Sequence, residues 1–156
     1  MQHGNTPTNC SSAIVNILEH HGITHIFGVP GAKIDSLFVA IKHSKITLVL
    51  CRHEQNAAFM AAAFGRLTGK VGVCVATSGP GVTNLTTGLM TATSEGDPVL
   101  AIGGEVSVGE RLKKTHQSLD AACLMKAVTK FSAEIVTANQ VSEVIGLSLI
   151  HISEPT

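Results

Sequence analysis

Short apolar runs alternate along the chain with segments whose apolar residues recur every third or fourth position. Residues 23–29, 46–50, 71–76 and 98–102 have strand length and are rich in Val, Ile and Leu. Helical patterns cover residues 11–19, 34–41, 53–67 and 81–93; Ile34, Leu37, Phe38 and Ile41 show the spacing most clearly. Ser11 or Ser12 is suited to cap the first helix, Gly22 to end it, and Pro30-Gly31 to close the first strand. Strand and helix thus alternate through four steps, which predicts an α/β fold with a parallel sheet and right-handed crossovers.

In such sheets ligands gather at the carboxyl ends of the strands. Those ends carry GVPGAK, CRHEQN, ATSGPGVTN and GGEVS, four loops sharing one rim. Which of them meet depends on strand order, which the pattern leaves open. ATSGPGVTN has two glycines that permit close backbone approach, yet it matches neither GxGxxG nor the GK[ST] of a phosphate loop. Its simplest reading is a tight strand-to-helix turn capped by Ser78.

Glu54 stands out. A glutamate in the first turn of a helix is ordinarily a surface residue favoured by the helix dipole. This one lies between the apolar run ITLVLC, from which Arg52 and His53 separate it, and NAAFMAAAFGRL, whose small residues imply close packing on several sides. A carboxylate at a dry sheet edge is suited to hold or exchange a proton near neutral pH.

Composition narrows the options. Of the 156 residues 44% are hydrophobic, with mean hydropathy +0.31, which fits a sheet covered on both faces or a domain that also buries surface against partners. Zero net charge and the lack of Trp and Tyr argue against nucleic acid and anionic membranes as partners. Cys10, Cys51, Cys74 and Cys123 are widely spaced, and read as free thiols of a reducing compartment rather than as a zinc or redox motif. The pair His20-His21 suits a helix carboxyl end, and no metal site is expected. Without a basic-then-apolar leader or a membrane-length apolar run, the expected location is the cytoplasm.

The stretches FGVPGAKID, RHEQNAAFMAAAFGRLTGK, VATSGPGVTNLTTGLMTATSEGDPVLAIGGE and KKTHQSLDAACLMKAVTKFS, in this order, resemble the amino-terminal pyrimidine-binding domain of thiamin-diphosphate enzymes. Lys33 in PGAKID and THQS at 115–118 are most similar to the catabolic acetolactate synthase branch. The resemblance spans roughly residues 9–145 and implies a three-layer, doubly wound parallel sheet. It implies that Glu54 hydrogen-bonds N1′ of the cofactor's aminopyrimidine and so promotes loss of the thiazolium C2 proton. Pro30, Gly31, Gly79, Pro80, Gly81 and Asn84 would line the cofactor pocket. Gln117 would donate a hydrogen bond near pyruvate, and Lys33 would meet a substrate or product carboxylate. His116 would border the acceptor site or simply be a polar loop residue, and Arg52 and His53 would form a surface or interface pair.

The implied reaction condenses two pyruvates to 2-acetolactate and carbon dioxide through hydroxyethyl-thiamin diphosphate. Mg²⁺ and the cofactor's diphosphate would be held by a GDG…N motif, absent from these 156 residues, so the chain alone is expected to be inactive. The resemblance leaves FAD open and implies a homodimer or homotetramer. The alternatives are a biosynthetic acetohydroxyacid synthase, another 2-oxoacid carboligase or decarboxylase, or a stand-alone, non-catalytic partner-binding module. The expected organisation is a flexible terminus at 1–8, a domain at 9–146, and a non-native tail at 147–156, where LSLIHISEPT departs from the helical period and from the family.

Overall fold

The structure, a computed structural model, describes residues 9–113 and 116–153. Four strands, β1 (His25–Gly28), β2 (Thr47–Leu50), β3 (Gly72–Ala76) and β4 (Val99–Gly103), form one parallel sheet in the order β2-β1-β3-β4. Helices α1 (Cys10–His20), α2 (Asp35–Lys42), α3 (Glu54–Thr68), α4 (Pro80–Glu95), α5 (Ala121–Lys126) and α6 (Val141–Ser153) flank it, with 3₁₀ turns at Val108–Lys113 and Ala138–Gln140. The expected α/β, doubly wound parallel sheet is present, with strand ends within two residues of those read from the apolar runs.

Alternate residues of each strand feed two cores. Ile26, Val73, Val75 and Leu100 join α1, α2 and α6 in one cluster, while Phe27, Cys74 and Ala76 join α3 and α4 in the other. Being covered on both faces, β3 is buried at all five positions, and its sequence GVCVA shows no polar alternation. The alanine-rich face of α3 buries Ala57, Ala58, Ala61 and Ala62. Such small side chains let α3 lie close to both the sheet and α4.

Two local readings need correction. α1 is capped by Asn9, whose Oδ1 accepts from Ser12 N at 2.8 Å, and not by Ser11 or Ser12, which already lie inside the helix. Gly22 ends that helix as expected, in the left-handed conformation at φ +75°. The helical period also does not break near Gly146. α6 runs on to Ser153 and buries Val141, Ile145 and Leu149, with Ile152 packed on the same core. Beyond Gly146, Lys130 Nζ donates to the His151 carbonyl at 2.9 Å, and the Phe131 and His151 rings stack 4.9 Å apart. Residues 1–8 and 154–156, parts of the expected termini, lie outside the described residues.

Two features of the topology position a site. From β1 the chain crosses through α2 to β2 on one side, whereas from β3 it crosses through α4 to β4 on the other. The loops leaving β1 and β3 therefore diverge at a switch point and leave a crevice between them. β4 is an edge strand, and along it runs an open groove of about 1380 Å³, bordered also by residues 131–136 and α6.

Candidate functional site

Backbone hydrogen bonds carry the ladder just past the strand ends and fix the loops that follow. Cys51 N donates to Gly28 O at 2.9 Å, Val29 N to Val75 O at 3.3 Å, and Gly104 N to Ala76 O at 2.9 Å. After β2 the chain turns at once into α3, and His53 caps that helix: its Nδ1 accepts from Gln55 N at 3.1 Å. Arg52 and His53 are both exposed, as a surface pair would be, but His53 also has this local task. Glu54, the first residue of α3, is half-buried.

Its carboxylate is held from α4. Asn84 Nδ2 donates to Glu54 Oε2 at 3.0 Å. The other oxygen faces Gly81, where a side-chain carbon would come within 3.4 Å of Oε1 and 2.9 Å of Thr77 Cγ2. Across the crevice a side-chain carbon on Gly31 would lie 2.5 Å from Thr77 Cβ. Thr77 is thus wedged between glycines of the β1 and β3 loops, and Gly31, Thr77, Gly81, Glu54 and Asn84 form one contiguous wall.

The α4 amino terminus differs from the expected capped turn. Ser78 does not cap it; it lies one residue too early and is fully buried, and the cap position is Gly79 at φ +64°, with no side-chain cap bond. The hydroxyls of Ser78 and Thr77 are buried with no hydrogen-bond partner among the described residues. A buried, unpaired hydroxyl is costly, so each such group asks for an explanation. Thr77 was not singled out from sequence; its position shows only once β1 and β3 are known to be neighbours.

The other expected residues fall into two groups. Gln117 is half-buried at φ +67° and sits on Gly79, where a side-chain carbon would meet Gln117 Cα at 2.9 Å. Two left-handed residues are therefore pressed together at the rim, and the absence of a side chain on Gly79 makes that possible. Pro30 and Pro80 are exposed on the loops beside them, as is His116, while Thr115 lies outside the described residues. Lys33 takes another course: its Nζ lies 3.8 Å from Glu110 Oε2, and the residue borders the groove beside β4. The groove beside β4 is therefore not where the carboxylate is.

The cysteines offer no nucleophile at this site. Burial pushes the Cys74 thiol up to about 12, and desolvation raises Cys51 as well. Among the described residues no cluster of three His, Cys, Asp or Glu side chains could hold a metal ion, and no helix is long and apolar enough to cross a membrane.

A doubly wound sheet that presents a tethered carboxylate and glycine walls at its switch point defines a cofactor-binding α/β domain. Residues 8–124 match the thiamine pyrophosphate enzyme family, N-terminal TPP binding domain, and the chain belongs to that family. It is 53% identical over 132 residues to an acetolactate synthase of Bacillus subtilis (strain 168), covering 85% of this chain and 23% of that protein. It is 50% identical over 132 residues to a catabolic acetolactate synthase of Raoultella terrigena, covering 85% of this chain and 24% of the other. With the isozyme 2 large subunit of acetolactate synthase of Escherichia coli (strain K12) it shares 43% over 124 residues, 80% of this chain and 23% of that one. The chain thus spans about a quarter of the length of these relatives.

Proposed function

We propose that this domain supplies the cofactor-activating carboxylate of an acetolactate synthase, which joins two pyruvates into 2-acetolactate with release of carbon dioxide. The observation that carries this reading is Glu54, tied at one oxygen by Asn84 and bordered at the other by Gly81. The residues fit an aminopyrimidine: Glu54 offers a second carboxylate oxygen, Gly31 and Gly81 let Thr77 pack between them, and the Thr77 hydroxyl is an unused polar group beside the carboxylate. When bound, thiamine pyrophosphate supplies an electron sink for decarboxylating 2-oxo acids and for forming carbon–carbon bonds.

Glu54 holds and exchanges a proton at the N1′ atom of the ring, a task that needs a carboxylate at hydrogen-bond distance and little water. Pro30 and Gly31 line the seat on one side, and Gly79, Pro80 and Gly81 on the other. Gln117 donates a hydrogen bond toward pyruvate from its place on Gly79. Lys33 meets the pyruvate carboxylate by leaving Glu110, a partly exposed, 3.8 Å ion pair that costs little to break. Mg²⁺ is held by residues outside this chain. A second copy packs on the outer faces of α3 and α4, where Phe59, Met60, Leu67 and Met90 are exposed. The protein works in the cytoplasm.

The test grafts residues 9–146 into the Bacillus subtilis acetolactate synthase in place of the matching segment. In that enzyme Glu54→Gln lowers acetolactate formation by at least about a hundredfold, with an unchanged circular dichroism spectrum. Near-normal turnover would sink the assignment. Supplying 2-oxobutyrate beside pyruvate and weighing the two products then separates a pyruvate-selective enzyme from a biosynthetic one.

A further inference from the structure

We infer that Asn84 is a positioning residue that acts through Glu54, fixing which carboxylate oxygen is presented to the crevice; this rests on the reading of Glu54 above. The resemblance makes Asn84 a lining residue of the cofactor pocket. The structure shows it bonded to the glutamate: Nδ2 lies 3.0 Å from Oε2, across 30 residues of sequence. The amide nitrogen of Asn84 is the donor and the Glu54 oxygen the acceptor.

The second half of the device is Gly81. It lies three residues before Asn84 on α4, so both belong to one face of that helix. Gly81 lies beside Oε1: a side-chain carbon there would stand 3.4 Å from that oxygen, in ordinary contact, and 2.9 Å from Thr77 Cγ2, so the bare glycine lets Thr77 pack next to the carboxylate. One helix face therefore ties one oxygen and borders the other. A glutamate at the start of a helix has three rotatable side-chain bonds and a choice of solvent or backbone N–H partners. Tethering Oε2 removes most of that freedom and orients Oε1 before any ligand arrives.

The test uses the grafted full-length enzyme in four forms: unchanged, Asn84→Ala, Glu54→Ala and the double variant. Asn84→Ala is expected to lower kcat about tenfold to a hundredfold, while the Kd for thiamine pyrophosphate stays within about threefold. In the Glu54→Ala background the same change should have no further effect. Melting of the cofactor-free forms gives an independent cycle: Asn84→Ala lowers Tm by roughly 2–4 °C with Glu54 present and by nothing measurable without it.

An equal loss in both backgrounds, or a loss confined to cofactor Kd, would mean that Asn84 contacts the cofactor itself and would overturn the inference. So would an unchanged kcat. If Asn84→Ala fails to fold, Asn84→Ser takes its place in the same cycle. If Glu54→Ala alone keeps near-normal turnover, the reading of Glu54 fails instead, and the Tm cycle still reports whether the two side chains are coupled.

Discussion

Two concave regions of this domain differ in almost every respect. The groove along β4 is large, about 1380 Å³, and open, and its walls come from β4, residues 131–136 and several helices. The switch point between the β1 and β3 loops gathers instead a tethered carboxylate, two glycines packed on Thr77 and the unpartnered hydroxyl of that threonine. Size follows from where the sheet leaves an edge uncovered. Chemistry follows from where crossovers diverge, because strand ends pointing the same way deliver their loops to one spot. The proposed function therefore rests on polar groups converging on a point and not on volume.

The comparison breaks most readily at the crevice wall. Gly31→Ala forces a methyl to within 2.5 Å of Thr77 Cβ, closer than non-bonded carbons can approach. In the grafted enzyme it should abolish measurable turnover and cost about 1–3 kcal/mol of stability, read by urea unfolding. Retained turnover would mean that the two loops do not press together as described.

A groove substitution should do the opposite. Ile145 borders the groove and is 3% exposed within the α1, α2 and α6 core. Ile145→Ala should cost about 2–5 kcal/mol in unfolding experiments. Cofactor Kd in the folded protein should not move; a tenfold change would make the groove part of the site.

How much of this was legible in the sequence depended on range. The strands and helices could be read because apolar spacing is local, and Glu54 because it sits in a short polar stretch between an apolar strand and an alanine-rich helix. The Asn9 cap was obscured by Ser11 and Ser12, which have equal capping chemistry but lie two and three residues too late. Ser78 looked like a cap because serine before a helix usually is one; burial beneath the crevice gives it another place. Thr77, and the tether from Asn84 to Glu54, depend on contacts between loops dozens of residues apart. Such contacts follow from strand order, which periodicity does not encode. Leu149 and Ile152 do fall on the spacing of Val141 and Ile145, so the continuation of α6 was readable once LSLIHIS was judged by pattern alone.

A smaller effect sharpens the crevice. If the Thr77 hydroxyl is unpaired in the cofactor-free protein, Thr77→Val exchanges it for a methyl of nearly the same shape and removes an unsatisfied group. Thermal melting without cofactor should then show a gain of about 1 kcal/mol. A loss of that size would reveal a partner for the hydroxyl. A gain accompanied by weaker thiamine pyrophosphate binding would assign the hydroxyl to the ligand.

The thiols distinguish the two regions with the least disturbance of all. Cys10 and Cys123 lie on or beside the groove, half-buried and exposed, whereas Cys51 and Cys74 lie on the crevice side. Alkylation needs the thiolate, which burial disfavours at Cys51 and strongly at Cys74, pushed up to about 12. Iodoacetamide at pH 8, followed by peptide mass spectrometry, should therefore modify Cys123 first and leave Cys74 intact until the chain unfolds. The same burial sets a pH dependence. Above the ordinary thiol value of 9.0 the unfolded chain releases the Cys74 proton while the folded one keeps it, so the unfolded state binds fewer protons and stability falls as pH rises from about 9 toward 12. Cys74→Ala should flatten that alkaline slope. An unchanged slope, or early labelling of Cys74, would mean that water reaches β3 beneath the crevice, and the dry floor that sets this region apart from the groove would be lost.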